Sequence, residues 1–231
     1  MNIYELYEKA NVVTKENYLD DKYTYLTYKG LIDMRTIDYS FMINNPDSSL
    51  VDLIIQEKVV YLLPNIFEGQ IIDIYVRGRE TQNNPKTLRN KNLLYGLSTF
   101  NKDFKYGDPI FLVEGIADYG ALKFIKNDLN VIALRGDSLS KENAKILSTL
   151  SNNIILIPDN DDGGKISIKN IKPRLRKLGI DLKIFNNYGS FKDTGDLIDL
   201  VIKVENGKAN NIEEIKTIVS YYESGIKLYG S

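Results

Sequence analysis

Short apolar runs alternate with helical stretches along the second half of the chain. The runs are FLVE, VIAL, IILIP and DLKIF, and the helical stretches between them cover residues 117–126, 140–150 and 164–178. Strands separated by helices of about ten to fifteen residues are typical of a parallel sheet with right-handed crossovers. We therefore predict an α/β fold in which helices flank a four-stranded parallel sheet. Ser140 is expected to cap the second helix, and Pro173 to kink or interrupt the third.

The first third of the chain has a mixed pattern. Apolar spacing over residues 3–39 predicts short helices, broken at Gly30 and resumed around Met34. The turn-forming stretch NNPDSS at 44–49 separates these helices from two β-rich runs, VVYLLPNI and IIDIYV, which flank FEG and indicate a hairpin. Pro64 predicts that its strand lies at a sheet edge or ends there.

Positive charge is concentrated between the hairpin and the predicted parallel sheet. Residues 77–105 read as a loop and contain seven basic residues against two acidic ones. Such a segment can be a solvated surface loop or a surface that contacts phosphates, and the sequence leaves both open. Two helices are predicted over 195–222. We divide the chain into an N-terminal α+β basic subdomain (1–107), an α/β domain (108–205) and a small C-terminal helical segment (206–231).

The composition narrows the chemistry that this chain can perform. Its 231 residues include no cysteine, histidine or tryptophan. Disulfides, thiolate nucleophiles, zinc fingers and a Ser-His-Asp triad cannot be built from them. Catalysis has to use carboxylates, lysine, tyrosine, hydroxyls or a metal with oxygen ligands, and such ligands favour Mg²⁺, Mn²⁺ or Ca²⁺.

The sequence carries no signal for membrane insertion or export. Thirty basic residues are matched by thirty-one acidic ones, a formal net charge of −1. No apolar run approaches the roughly 20 residues that span a bilayer. The first residues, MNIYELYEKA, carry acids where a signal peptide has a basic segment. We expect no membrane partner and a cytoplasmic location.

Carboxylates follow three of the four predicted strands. Glu114 ends the first strand, Asp159 and Asp161 follow the third, and Asp193 and Asp196 lie beyond the fourth. Functional groups of an open parallel sheet gather at the carboxyl ends of its strands, and the i, i+2 spacing of Asp159 and Asp161 would point both side chains the same way. Clustered carboxylates repel one another unless a cation lies between them. One or two Mg²⁺ ions held there could activate a 3′-hydroxyl and stabilise a leaving pyrophosphate without histidine.

The hexapeptide DNDDGG also has two simpler interpretations. Alone, it fits an Asx-rich turn. It matches loop positions one, three and six of an EF-hand as well, but Asn170 stands at position twelve, where a bidentate glutamate is required, and a strand precedes it instead of a helix. DNDDGG indicates a carboxylate site more specifically when it is combined with VEG at the end of another predicted strand.

The motifs VEGIAD, VIALRGDSLS, DNDDGG and KDTGDLI, in this order, resemble the Toprim domain of bacterial primases, type IA and II topoisomerases and some small nucleases. Those domains place a glutamate after the first strand and D-x-D after a later one, which corresponds to Glu114, Asp159 and Asp161. VEGIADYGAL and ALRGDSLSKENAKIL are similar to motifs of DnaG-like bacterial and phage primases in particular, and they add Asp118 and Gly136. The resemblance implies a Toprim-type parallel sheet flanked by helices.

The resemblance to DnaG-like primases continues upstream. YLTYKGL, LLPNIFEGQIIDIYVRGR and PKTLRNKNLLYGL are similar to successive motifs of that family, so that roughly residues 20–200 are covered. Two features depart from it. Gly195 stands in KDTGDL where an acid often stands, and the chain has neither the cysteines for the family's zinc-binding domain nor the length for its helicase-interacting domain. The chain therefore resembles the RNA polymerase core alone.

The resemblance implies a primase core that joins ribonucleoside triphosphates into short RNA primers on a single-stranded DNA template. Its expected catalytic residues are Glu114, Asp159 and Asp161. These would bind Mg²⁺ or Mn²⁺ together with Asp193, although Glu114 could instead act as a general base. Asp118 would be a more distant metal ligand or would hold the start of its helix. The residues expected to contact nucleotide or nucleic-acid phosphates are Arg77, Arg79, Lys86, Gly136, Gly164 and Lys165. A replicative helicase and a separate zinc-bearing protein are the further partners implied.

Other classes of function stay open. A Toprim nuclease would use the same carboxylates for hydrolysis, but it is not expected to carry the upstream motifs. A non-catalytic module that docks a replisome partner is disfavoured by the retained acids. A topoisomerase would need an active-site tyrosine in a large partner domain, for which 231 residues leave no room.

Overall fold

The computed structural model describes residues 3–14, 21–38, 41, 59–79, 93–100 and 102–229, and within them the chain forms two four-stranded sheets. The first sheet is antiparallel, in the order β1-β2-β3-β4, with β1 at Asn11–Val12, β2 at Arg35–Asp38, β3 at Val59–Phe67 and β4 at Gln70–Gly78. Helix α1 (Ile3–Lys9) precedes β1, and α2 (Lys22–Tyr28) follows it. The predicted turn at 44–49 lies outside the described residues, as do residues 80–92 and 101 of the basic segment.

The predicted hairpin is confirmed by the pairing of β3 with β4. Its turn uses Glu68 and Gly69, both at positive φ (50° and 77°), which suits the right-handed twist of the two strands. Pro64 does not end its strand, so that part of the prediction is wrong. β3 lies between β2 and β4, but its ladder with β2 stops at Leu62. One side of the strand therefore has no β2 partner at Pro64, which is where a sheet tolerates proline.

The segment after Gly30 corrects another prediction. Gly30 has a φ of 70° and follows the end of α2, but the chain then forms strand β2 instead of a further helix around Met34. Thr36 pairs with Tyr61 of β3, and Ile37 is fully buried below the sheet. Apolar spacing over so few residues is compatible with either element, and the ladder with β3 decides between them.

The second sheet is parallel throughout, as predicted, and its strand order is β6-β5-β7-β8. Its strands are β5 (Ile110–Val113), β6 (Val131–Ala133), β7 (Ile154–Leu156) and β8 (Lys183–Ile184). The helices are α3 (Ile116–Ile125), α4 (Lys141–Leu150), α5 (Asp162–Arg176), α6 (Asp196–Glu205) and α7 (Ile212–Tyr229). None of the helices in the described part of the chain is both long and apolar enough to span a membrane.

Helices α4 and α5 test the predictions made for Ser140 and Pro173. Ser140 caps α4, because its hydroxyl oxygen accepts the N–H of Asn143 at 3.0 Å. Pro173 does not interrupt α5, which continues to Arg176. The last helix, α7, runs seven residues beyond the predicted limit at Tyr222. The division of the chain at 107/108 and 205/206 stays a prediction.

The largest apolar core joins the two sheets. It includes Leu26 of α2, Leu63 of β3, Val113 of β5 and Leu122 of α3, all fully buried. Helices α2 and α3 approach closely at Gly120, where a Cβ would lie 2.6 Å from the Leu26 side chain. Separate cores lie between the parallel sheet and helices α4 and α5, and between α1 and the antiparallel sheet. This packing brings the end of β4 beside the carboxyl ends of the parallel strands.

Candidate functional site

A cleft of about 290 Å³ opens where the carboxyl ends of the parallel strands face β4. Its acidic side chains are Glu114, Asp118, Asp159 and Asp193. Its basic side chains are Lys22, Arg77, Arg135 and Lys192. We call this feature the carboxylate cleft. The structure brings together in it four of the five acids expected to form a metal site.

Glu114 and Asp159 are neighbours because β5 and β7 are adjacent parallel strands. The backbone N–H of Asp159 donates to Oε1 of Glu114 at 3.2 Å. Burial raises the pKa of Glu114 above its usual range. Burial, together with the charges of Glu114 and Asp193, raises the pKa of Asp159 to about 7. The pair therefore favours a proton or a metal cation beside it.

Asp161 lies at the start of α5 and does not line the carboxylate cleft. Its Oδ1 accepts the N–H of Gly164 at 3.0 Å, and its Oδ2 lies 3.4 Å from Nζ of Lys192. The hydrogen bond from Gly164, assisted by Lys192, lowers the pKa of Asp161 below its usual range. Asp159 and Asp161 thus have different electrostatic surroundings although they are two residues apart.

The glycine and lysine that follow Asp161 also lie outside the carboxylate cleft. A Cβ at Gly164 would lie 1.8 Å from the carbonyl oxygen of Asp159, so this position requires glycine for space. Lys165 is exposed and pairs with Asp162 at 2.8 Å. Gly164 and Lys165 line a second cavity, of about 580 Å³, to which Asp159 and Asp161 also contribute.

Asp118 is buried beside the cleft and accepts two backbone hydrogen bonds. Its Oδ2 accepts the N–H of Gly115 at 3.1 Å, and its Oδ1 accepts the N–H of Gly195 at 2.9 Å. Burial raises the pKa of Asp118 well above its usual range, and the charge of Asp193 acts in the same direction. The side chain therefore ties the start of α3 to the turn that precedes α6.

Asp193 lies just before α6, beside Lys22 from the start of α2. Nζ of Lys22 is 3.5 Å from Oδ1 of Asp193 and 3.6 Å from Oδ2 of Asp199. Oδ1 of Asp193 is buried and accepts no hydrogen bond from the described residues. Burial alone would lower the pKa of Lys22, but the carboxylates of Asp193, Asp199 and Asp118 outweigh it and raise that pKa. Lys22 is therefore a permanent cation.

The predicted phosphate-binding residues are divided by the fold. Arg77 belongs to β4, so the predicted loop begins later than expected; its guanidinium lies 4.8 Å from the Tyr23 ring centroid and lines the cleft. Gly136 also lines the cleft, and its N–H donates to the Glu114 carbonyl oxygen at 3.2 Å. Arg79 lies 3.8 Å from Asp21, away from the cleft lining. Lys86 lies outside the described residues.

Sequence reasoning missed three basic residues of the cleft: Lys22, Arg135 and Lys192. Arg135 lies two residues after β6, directly beyond the predicted strand VIAL, and that position could have identified it. Lys192 lies in the KDTGDL motif, where only the acids were assigned. Lys22 carries no such signal, because it reaches the cleft only through the packing of α2 against α6.

The cleft residues fit a divalent cation with few protein ligands. No three acidic side chains of the described chain lie as close together as the ligands of one ion do. Glu114 and Asp159 are nevertheless adjacent carboxylates, and neither forms an ion pair with a basic side chain in the described ranges. Mg²⁺ usually keeps several waters and binds one or two carboxylates plus phosphate oxygens. Glu114 and Asp159 therefore suit Mg²⁺ or Mn²⁺, with further positions for water and substrate oxygens.

Known proteins are similar to this chain in sequence. Residues 111–198 match the family model described as Toprim-like. A DNA primase of Clostridium acetobutylicum is 31% identical over 122 residues, which are 51% of this chain and 20% of that protein. The matched part thus spans a fifth of the length of this curated relative.

Solved structures are similar in fold. A DNA primase domain from Pseudomonas aeruginosa matches with a TM-score of 0.59 at 18% identity, over 85% of this chain and 73% of that one. The DnaG primase catalytic domain bound to ssDNA matches with a TM-score of 0.55 at 15% identity, over 90% of this chain and 77% of that one. These matches confirm the predicted α/β fold class. The chain therefore has the fold of DnaG-type primase catalytic cores, and its residues 111–198 are similar in sequence to the Toprim-like family.

Proposed function

We propose that the chain is a DNA primase catalytic core that synthesises short RNA primers on single-stranded DNA by metal-dependent nucleotidyl transfer. One observation carries the proposal: carboxylates from the ends of β5 and β7 share a cleft with Arg77 of β4. Phosphoryl transfer depends on positioning a triphosphate between metal-binding carboxylates and cationic side chains. A cleft with both kinds of side chain suits that reaction.

The acids of the cleft have distinct roles in this proposal. A bound Mg²⁺ or Mn²⁺ would supply the charge that polarises the phosphate oxygens and the attacking hydroxyl. Glu114 and Asp159 would hold this ion. Asp161 and Asp193, which are paired with Lys192 and Lys22, would add negative charge near it without being its ligands. Because burial raises its pKa, Glu114 is also suited to accept the proton of the attacking 3′-hydroxyl. Asp118 is a positioning residue, because both its oxygens accept backbone hydrogen bonds.

The basic residues bind phosphates. Arg77 neutralises the incoming triphosphate, and Gly136 lets the nucleotide approach the backbone closely. We assign the template strand to Arg79, Gly164 and Lys165, which do not line the carboxylate cleft, and to Lys86, which lies outside the described residues. The DnaG primase catalytic domain of similar fold is bound to single-stranded DNA, which supports this class of template. Contacts of this kind predict binding that weakens steeply with salt.

The proposed reaction implies partners and a location. Ribonucleoside triphosphates are its substrates and single-stranded DNA is its template. A replicative helicase would deliver the template, and a separate zinc-bearing protein would assist template recognition. Primer synthesis takes place in the cytoplasm of a bacterium, or of the bacterial host if a phage encodes the protein.

A primer-synthesis assay tests the proposal. The chain is incubated with single-stranded DNA templates, ribonucleotides and Mg²⁺ or Mn²⁺, and labelled oligoribonucleotides are separated by size. We expect template-dependent products from the wild type and loss of them in Asp159→Asn/Asp161→Asn. Asp128→Asn is the matched control, because Asp128 is an exposed acid paired with Lys126 at 4.0 Å.

Three results would contradict the proposal in different ways. Undiminished products from Asp159→Asn/Asp161→Asn would refute the site assignment. Strand cleavage without synthesis would identify a Toprim-type nuclease. Neither activity, with retained binding to a replisome protein, would identify a non-catalytic module.

A further inference from the structure

Lys22 is a fixed side chain at the edge of the carboxylate cleft. The residue before it, Asp21, caps α2 by accepting the N–H groups of Tyr23 and Thr24 at 2.9 and 3.2 Å. The other oxygen of Asp21 accepts the Tyr61 hydroxyl of β3 at 2.7 Å. The backbone that carries Lys22 is therefore anchored to the antiparallel sheet. Its side chain, 20% exposed, extends from there to the acids before and within α6.

Gly195 leaves the space that the ammonium group occupies. A Cβ at this position would lie 3.2 Å from Nζ of Lys22 and 2.9 Å from Oδ1 of Asp193. The backbone of Gly195 has a φ of −63°, which any residue can adopt, so conformational freedom does not explain the glycine. The absence of a side chain permits the close approach of Lys22 to Asp193.

The ion pairs divide the acids of the site into two groups. Asp193 and Asp199 are paired with Lys22, and Asp161 is paired with Lys192. Glu114 and Asp159 form no ion pair with a basic side chain within the part of the chain that the structure describes. A divalent cation is attracted to the carboxylates whose charge is not already balanced, and it is repelled by an ammonium group nearby.

We propose that the ammonium group of Lys22 limits the chain to a single divalent ion, held at Glu114 and Asp159. The ammonium group takes the place of a second ion beside Asp193. This inference rests on the proposed metal chemistry, and it adds the number of ions and the residue that sets it. Lys22 acts as a positioning residue, because it holds Asp193 and Asp199 by charge and does not need to touch the reacting phosphates.

Counting bound Mn²⁺ by electron paramagnetic resonance tests the proposal without measuring catalysis. The full chain is titrated with Mn²⁺ in the absence of nucleotide, and free Mn²⁺ is read from its signal. We expect one ion per wild-type chain. Lys22→Met is expected to bind a second ion, and its overall Mn²⁺ affinity should rise on the order of tenfold, because one positive charge is removed a few ångströms from the carboxylates. Lys22→Arg keeps the charge and should bind one ion.

Lys29→Met is the matched control. Lys29 also belongs to the α2 region but pairs with Glu205, 3.4 Å away and outside the cleft lining, so its replacement should leave one ion bound. Circular dichroism in EDTA checks that each variant is folded. If Lys22→Met is unfolded, Lys22→Gln, which also removes the charge but keeps a polar side chain, is titrated in its place and should bind a second ion.

The outcomes separate this inference from the function on which it rests. Two ions bound to the wild type, or one ion bound equally tightly to a folded Lys22→Met, would overturn the role of Lys22 and leave the proposed metal chemistry intact. No ion bound to the wild type at millimolar Mn²⁺ would refute the proposed metal chemistry itself.

Discussion

Arg135 and Asp73 form a buried ion pair between the two sheets. We predict how much the free energy of unfolding falls when this pair is removed. Nη1 of Arg135 lies 3.0 Å from Oδ2 of Asp73, and the side chains are 1% and 2% exposed. Nε of Arg135 also donates to the carbonyl oxygen of Leu93 at 3.1 Å. Arg135 follows β6 and Asp73 belongs to β4, so the pair connects the parallel and antiparallel sheets.

Removing one partner leaves the other charge buried without its counter-ion. Such a change typically costs about 3–5 kcal/mol, a large share of the roughly 5–15 kcal/mol that stabilises a domain. Asp73→Asn should fall near the lower end, because the amide oxygen can still accept from Arg135 and the bond to Leu93 remains. Arg135→Met should cost more, because it leaves a carboxylate with no cation beside it.

Urea unfolding followed by circular dichroism measures these changes, and a double-mutant cycle isolates the pair. The combined Asp73→Asn/Arg135→Met variant should be no less stable than Arg135→Met alone, so the coupling energy should be at least the cost of Asp73→Asn, about 3 kcal/mol. The control is Lys126→Met, which breaks the exposed pair with Asp128 and should change stability by less than about 0.5 kcal/mol. Single-variant losses below about 1 kcal/mol at Arg135 would refute the reasoning.

Three further predictions follow from the cleft and the C-terminal helix. The pKa of Asp159 is about 7 in the folded chain, above its unfolded value of about 4, so the native state binds more protons between these values. The metal-free chain should therefore lose stability as pH rises from about 4 to 7, and thermal melts should show a weaker slope in Asp159→Asn. Asp118→Asn should destabilise the chain by about 1–3 kcal/mol and weaken Mn²⁺ binding, because the amide has one oxygen and can no longer accept from Gly115 and Gly195 with two. Unchanged Mn²⁺ affinity in a folded variant would count against the positioning role of Asp118. Gly225→Ala should cost about 1–3 kcal/mol in urea unfolding, since the added Cβ would lie 2.1 Å from the Phe185 ring, whereas the exposed Ser224→Ala should be near neutral.

The parallel sheet was predictable because three of its four strands, β5, β6 and β7, are short, fully apolar and bounded by turn signals. FLVE and IILIP are buried on both faces as central strands β5 and β7, so their composition reports the fold directly. Strand β2 was not predictable in this way. Its residues are only partly apolar, and its identity depends on a ladder with β3, more than twenty residues later in the chain.

The residues of the candidate site also divide into those that local sequence reveals and those that depend on contacts between distant parts of the chain. Glu114 and Asp159 are fixed by their position at strand ends, which local sequence reveals. The cations opposite them depend on how α2 and β4 pack over the parallel sheet, and no local pattern encodes that packing. Lys22 illustrates the difference, because its neighbours Asp193 and Asp199 lie about 170 residues further along the chain.

The two sheets share an apolar core. The segment that matches the Toprim-like family model is therefore continuous in sequence but does not pack as a unit on its own. The family match covers residues 111–198, yet the side chains that cover its inner face include Leu26 and Leu63 from upstream. A fragment cut at 107/108 would open that core to water, at a cost of roughly 1.5–3 kcal/mol for each large side chain left exposed. Transferring these motifs into another protein would therefore require a host surface that replaces α2 and β3. Only a host with such a surface could keep the carboxylates in their present positions relative to one another.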